Sequence, residues 1–243
     1  MSTYDLTIVA PVYNETGRLE PGLRGILSYL DTTPLVAELI VVDDGSTDGT
    51  ADRVAELTVG RPDVRLLRLP INKGKGFAVK TGMLAASGQV RLFTDIDLSV
   101  PIAEATRFFE LCQGETDVVI GTRKVAASNV TVHQPRHREI LGEVFRQMTR
   151  RLFTPGLSDI TCGFKAFSAT AAEKLFSESV IDRWSFDVEL LFLALRYGMK
   201  IGETPVTWQN NPDSKVRLIV DLPRSLVEMT RVGLRWGLGG YTR

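Results

Sequence analysis

Short β-branched runs alternate with helical repeats through the first half of the chain. That alternation confines it to a largely parallel sheet with helices packed on both faces. Residues 6–10 read as a strand closed by Pro11, and residues 38–42 as a second closed by Asp43. Between them Leu19, Leu23, Ile26, Leu27 and Leu30 recur at helical spacing and complete a βαβ unit. Further strands are expected at 64–69, 90–94, 117–121, 163–167 and 202–208. Helices are expected at 51–57, 77–86, 102–111, 138–152, 170–176 and 188–197. Residues 123–137 are polar and show no clear period, which makes them a candidate mobile loop. The parse is one α/β domain over 1–215, followed by a basic amphipathic helix and tail over 216–243.

In open α/β sheets ligands bind beyond the carboxyl ends of the strands, so the residues found there carry the functional signal. Those ends present Asn14 and Glu15, Asp43 and Asp44, Asn72 with Lys73 and Lys75, and Asp95 with Asp97. Two carboxylates spaced i, i+2 can both reach a hard divalent cation, because Mg²⁺ takes oxygen ligands and keeps waters and phosphate oxygens in its shell. The same short pattern also serves as a helix cap or a solvated turn. Lys73, Lys75 and the amides around Gly74 and Gly76 could contact a diphosphate at a helix start, or form only a flexible helix entry. The stretch is not a GxxxxGK[ST] phosphate loop.

Composition narrows the class. Lys and Arg together number 29 and Asp and Glu number 29, a zero net charge that argues against a nucleic-acid binder. The charge is unevenly spread, with seven Lys/Arg against two Glu between Arg123 and Arg151, so one face is basic. No run reaches the roughly 18 uncharged apolar residues of a spanning helix, and the N-terminus lacks a leader pattern. Cys112 and Cys162 are the only cysteines, too few for a disulfide framework, and a reducing, cytoplasmic compartment is the expectation. His133 and His137 sit in the polar loop without a third nitrogen or sulfur ligand in view and are not read as metal ligands.

In order and spacing, PVYNE at 11–15, VVDDGSTDGT at 41–50, NKGKGFAVKTGM at 72–83 and TDIDLSVP at 94–101 resemble the nucleotide-sugar half of family 2 glycosyltransferases of the GT-A fold. DVVIGTR at 117–123, SDITCGFKAF at 158–167, FDVELL at 186–191 and VTW at 206–208 resemble the polyprenyl-phosphate branch, in particular dolichyl-phosphate glucosyltransferases. The resemblance implies that Pro11, Tyr13, Glu15 and Asp43 line the base and ribose pocket, with Asp44 supporting it and Lys75 near the diphosphate. It implies that Asp95 and Asp97 hold Mg²⁺ or Mn²⁺, Asp95 being shared with the ribose. Arg123, Asp159 and Lys165 belong to motifs beside the sugar and acceptor and are the catalytic candidates, although Asp159 reads equally well as a buried capping carboxylate. Cys162 is read as packing.

The implied activity is inverting, metal-dependent transfer of a hexose, glucose from UDP-glucose, onto a polyprenyl phosphate. Asp97-Leu98-Ser99 stands where mannosyl-transferring relatives often carry Asp-Leu-Gln, which favours UDP-glucose over GDP-mannose. A lipid phosphate is already anionic and needs little general-base help, and Arg123, Arg136, Arg138 and Lys165 are the cations available to hold it. A soluble or saccharide hydroxyl is the alternative acceptor and would need a base, for which Asp159 is the candidate. A GDP-mannose-dependent polyprenyl-phosphate mannosyltransferase is a second alternative. A silent nucleotide-sugar module is disfavoured by Asp43, Lys75, Asp95 and Asp97 together, and a nucleotidyltransferase by PVYNE and DDGS. Near the C-terminus Leu222, Leu226, Met229, Val232 and Trp236 recur three or four apart, with Arg224, Glu228, Arg231 and Arg235 on another face. Such a helix either lies in a membrane interface or packs on the domain or on a partner subunit. Peripheral attachment at the cytoplasmic face of a membrane is the expectation, with oligomeric state left open.

Overall fold

A computed structural model describes residues 4–123, 129–132, 143, 147–209 and 218–241. Its strands are β1 (Tyr4–Val12), β2 (Ala37–Asp43), β3 (Val64–Arg68), β4 (Gly88–Thr94), β5 (Val118–Thr122), β6 (Asn129–Val132), β7 (Phe164–Ser168), β8 (Ile201–Pro205) and β9 (Thr207–Gln209). Its helices are α1 (Leu19–Thr32), α2 (Thr50–Leu57), α3 (Lys75–Ala85), α4 (Glu104–Gln113), α5 (Ala169–Glu178), α6 (Phe186–Arg196) and α7 (Leu218–Gly237). Seven strands form one sheet in the order β3-β2-β1-β4-β7-β5-β8.

The strands are apolar on both sides because both sides are covered. Alternate side chains point to opposite faces. Val9, Ile40, Val42, Phe93, Ile120 and Phe167 pack with residues of α3, α5 and α6. Ile8, Ala10, Leu39, Val41, Leu92, Phe164 and Ala166 pack with residues of α1, α2 and α4.

Topology then decides what meets at the upper edge. β1, β2, β3 and β4 are mutually parallel, with Val12 beside Asp43 at the carboxyl ends of β1 and β2. β7 is antiparallel to both neighbours, so it begins at that edge, with Phe164 beside Thr94. β5 ends there as well, with Thr122 beside Pro205 of β8. The loops after β1, β2, β4 and β5 and the segment before β7 therefore converge.

Two sequence expectations change. The stretch 123–137, expected to be a loop, contains β6, which pairs in parallel with β9. Its Asn-Val-Thr-Val alternation is a strand signal too short to stand out from the polar residues around it. The single strand expected over 202–208 is divided at Val206, whose N–H turns to the Thr122 carbonyl. β8 thus stays in the main sheet while β9 leaves it for β6. Of the helix expected at 138–152, residues 147–152 are helical, and Arg136, Arg138, His133 and His137 lie outside the described residues.

The C-terminal helix divides its apolar residues between two faces. Met229 and Val232 are buried against the body, and Trp236 meets Phe192 of α6 edge-on at 5.7 Å. These three belong to the stripe expected from sequence, but Leu226, expected in the same stripe, is 37% exposed, because the helix turns Ser225 rather than Leu226 inward. Val227, Leu234 and Leu238 form a second stripe on the outer face, 53%, 61% and 86% exposed, beside the exposed Arg224, Arg231 and Arg235. Among the described residues no helix is long and apolar enough to cross a membrane.

Candidate active site

The first two loops at the upper edge are fastened to each other. Asn14 N–H donates to Ser46 Oγ at 2.9 Å, and Asn14 Oδ1 accepts from Thr47 N–H at 2.9 Å. Glu15 N–H donates to Thr50 Oγ1 at 2.8 Å. Asn14 adopts φ +50°, a left-handed conformation that Asn tolerates because its side chain bonds locally. Pro11 is half-buried and Tyr13 exposed on this edge, while the Glu15 carboxylate is paired with Arg18 at the entry to α1.

Asp43 and Asp44 are adjacent, both 3% exposed, and hold different groups. Asp44 accepts Lys73 N–H at 2.9 Å, Gly74 N–H at 2.8 Å and Asn72 Nδ2 at 2.9 Å, which pins the lysine-bearing loop to β2. Burial pushes its carboxyl above the usual range, and the two backbone N–H groups pull in the opposite direction. Asp43 Oδ2 accepts Ser46 N–H at 3.1 Å. Asp43 Oδ1 is buried and has no hydrogen-bond partner. A buried acceptor left in that condition is costly, so it marks a place where a ligand donor fits.

Lys75 opens α3 and sets its ammonium 2.5 Å from Asp95 Oδ1. Burial would lower this lysine, but Asp95, Asp187 and Asp97 outweigh it and hold the group above its ordinary value. Asp95 and Asp97 occupy a tight turn in which Leu98 N–H donates to the Asp95 carbonyl and Asp97 Oδ1 accepts Ser99 N–H at 3.0 Å. Leu98 sits at φ +50°, a conformation that costs a bulky residue energy and is found where surroundings enforce it. Two glycines bring neighbouring segments up against this turn. A Cβ on Gly22 of α1 would lie 1.6 Å from the Ile96 carbonyl oxygen, so only glycine lets α1 press on the turn. A Cβ on Gly163 would lie 2.3 Å from Asp95 Oδ2, so only glycine lets the segment before β7 pass this close to that carboxylate.

The third group comes from β5 and the approach to β7. Asp159 is fully buried and bonds Arg123 Nε at 2.7 Å and the second guanidinium nitrogen at 2.9 Å. Arg123 N–H adds a third contact at 3.0 Å, and Trp208 lies 5.2 Å from the guanidinium carbon. Burial alone would push Asp159 up, but the charge and hydrogen bonds of Arg123, aided by Lys165, hold it down at about 2. Arg123 is held well above its ordinary value by Asp159, against the opposing effect of burial. Lys165 is also fully buried, with its ammonium bonded to Asp187 at 2.7 Å and to the Cys162 carbonyl. Burial drives Asp187 up, opposed by the charges of Lys165 and Lys75. Cys162 is buried and its thiol pushed up to about 11, as suits a packing residue.

The structure therefore brings Pro11, Tyr13, Glu15, Asp43, Asp44, Lys75, Asp95, Asp97, Arg123, Asp159 and Lys165 to one edge of the sheet. It adds residues to which sequence reasoning gave no role. Asp187 faces Lys165, and Trp184 stands exposed with Lys75 Nζ 5.6 Å from its ring centre. Both lie in or beside the FDVELL string, and Trp208 in VTW, but nothing in those strings announces a partner 22 or more residues away in the chain.

The sequence model of Glycosyl transferase family 2 matches residues 7–176. The chain belongs to that family. Within it, the chain is 32% identical over 246 aligned residues to dolichyl-phosphate beta-glucosyltransferase ALG5C of Trichomonas vaginalis, covering 97% of this chain and 73% of that protein. It is 31% identical to the dolichyl-phosphate beta-glucosyltransferase of Dictyostelium discoideum, covering 96% and 75%. Among solved structures, glucosyl-3-phosphoglycerate synthase from Mycobacterium tuberculosis in complex with Mn²⁺ and UDP-glucose superposes with a TM-score of 0.68 at 21% identity, over 95% of this chain and 80% of that one. The family 2 sheet with its flanking helices is thus a GT-A fold, as the motifs implied.

Proposed function

We propose that this family 2 glycosyltransferase moves glucose from UDP-glucose onto a polyprenyl phosphate, with inversion, at a membrane surface. The observation that carries the choice of acceptor is the Arg123–Asp159 pair. A hydroxyl acceptor needs a base whose pKa lies near the working pH. Asp159, the carboxylate best placed by motif for that task, is buried, committed to Arg123 and held at about 2. A phosphate acceptor needs no such base and instead needs a fixed cation, and Asp159 with Trp208 fixes Arg123 as one. The relatives named dolichyl-phosphate beta-glucosyltransferase support the same acceptor.

On the donor side, Asp43 Oδ1 offers a buried acceptor that the imide N–H of uracil can satisfy. The two carboxylates of Asp95 and Asp97 in one tight turn supply oxygen ligands that suit Mg²⁺ or Mn²⁺, which supports a divalent cation there. The synthase that shares the fold was solved with Mn²⁺ and UDP-glucose. When bound, the ion would stabilise negative charge developing on the departing diphosphate. Lys75 adds a positive charge beside Asp95, Arg123 is the cation for the acceptor phosphate, and inversion follows if that phosphate attacks the anomeric carbon from the face opposite the diphosphate. Lys165 and Asp159 act as positioning residues: one neutralises Asp187 behind Lys75, the other aims Arg123.

A single displacement on an α-linked donor gives a β-linked product. NMR of the glucosylated lipid is expected to show the β anomer, and an α anomer would refute direct displacement. The outer face of α7 supports the membrane part, since an apolar stripe bordered by arginines suits an anionic headgroup layer. Leu234→Glu with Leu238→Glu is expected to abolish flotation with phosphatidylglycerol-containing vesicles while thermal unfolding stays unchanged, because both side chains are more than half exposed. Undiminished flotation would remove α7 from the membrane contact.

A further inference from the structure

Asp95 already carries a cation that belongs to the chain itself, the Lys75 ammonium. Among the described residues no group of three His, Cys, Asp or Glu side chains is arranged to hold a metal. A divalent ion at Asp95 and Asp97 therefore takes most of its oxygens from elsewhere. In the structure Asp95 Oδ1 is engaged by the Lys75 ammonium at 2.5 Å, while the Asp95 side chain as a whole stays 41% exposed. A second cation therefore reaches this carboxylate from the open side, but only against the charge of the ammonium already seated on it. Lys75 also cannot drift far. It is the first residue of α3, whose Phe77 N–H is bonded to the Asp182 carbonyl at 2.9 Å, and Asp44 fixes the backbone just before it.

We infer that Lys75 is a competing counter-ion that keeps the divalent cation from Asp95 until the donor diphosphate draws the ammonium onto its own oxygens. The inference rests on the cation site of the proposed function. Metal and nucleotide then bind as a coupled pair, each raising the affinity of the other by the same factor. On loss of the diphosphate the ammonium returns to Asp95 and weakens the hold on the metal, which favours release of the pair together.

The test is Mn²⁺ binding without turnover, read from the electron paramagnetic resonance signal of free Mn²⁺, with and without UDP. Lys75→Met is expected to bind Mn²⁺ alone about fivefold more tightly than the native chain, the upper scale of an ion pair whose carboxylate is partly exposed. The gain on adding UDP shrinks in the same variant, and Lys75→Arg, which keeps the charge, stays close to native. Lys75→Gln, which keeps an N–H donor without the charge, replaces the methionine variant where that one does not fold. Equal Mn²⁺ affinity of the native chain and the uncharged variants in the absence of UDP would overturn the inference. Asp97→Asn, run with UDP present, separates the two levels. Unchanged Mn²⁺ binding in that variant means that the cation site itself is wrongly assigned, and the inference falls with it.

Discussion

Replacing Asp97 with Asn is expected to lower turnover by roughly a thousandfold, the factor that corresponds to about 4 kcal/mol of transition-state charge stabilisation. The substitution keeps the size of the side chain. Its amide oxygen can still accept the Ser99 N–H that Asp97 Oδ1 accepts at 3.0 Å, so the turn and the fold are expected to persist. What disappears is one negative charge at the place where a cation would gather the diphosphate. Steady-state kinetics at saturating donor, together with thermal unfolding, separate the two effects. A large loss of turnover at an unchanged Tm is the expected result, and retained turnover would remove Asp97 from the proposed metal site.

The second large effect is on stability. Lys165 is a fully buried lysine whose ammonium meets Asp187 at 2.7 Å, above the Phe93 ring. Lys165→Met leaves the Asp187 carboxylate buried without its partner, a change that typically costs about 3–5 kcal/mol. In a chain of this size that corresponds to a Tm lower by roughly 6–20 °C. Burial already raises Asp187, so the orphaned group will take up a proton, and the loss is expected to be smaller at acid pH. Adding Asp187→Leu removes the stranded charge and is expected to recover most of the stability. A single variant as stable as the native chain in urea unfolding would show that the pair is not a structural necessity.

The parts of the site that were legible in the sequence are those carried by local strings at strand ends. Asp43, Lys75, Asp95 and Asp97 follow β2, β3 and β4, and in a parallel sheet the carboxyl ends of neighbouring strands must share an edge. Chain order alone puts them together. The antiparallel insertion of β7 between β4 and β5 has no such signature, because the 163–167 run looks the same in either direction. That insertion is what brings Lys165 to Asp187 and Gly163 to Asp95. The inner stripe of α7 was visible as a helical repeat, but helical spacing cannot say which of two stripes faces the body. Packing of Met229 and Val232 under the sheet layer decides it and leaves Val227, Leu234 and Leu238 outside. The role of Asp159 was ambiguous in sequence since a buried carboxylate can cap or catalyse. Its bidentate pairing with Arg123 gives it a partner, and the partner's charge makes it a weak base.

The most direct test of the proposed activity is transfer from UDP-[¹⁴C]glucose to a detergent-dispersed polyprenyl phosphate, with GDP-mannose in parallel, with and without EDTA, and with product partitioned into organic solvent. Label in the organic phase that comes from UDP-glucose and vanishes with EDTA is the expected result. Label appearing only in water-soluble product, or transfer that persists in EDTA, would contradict a metal-dependent lipid-phosphate glucosyltransferase.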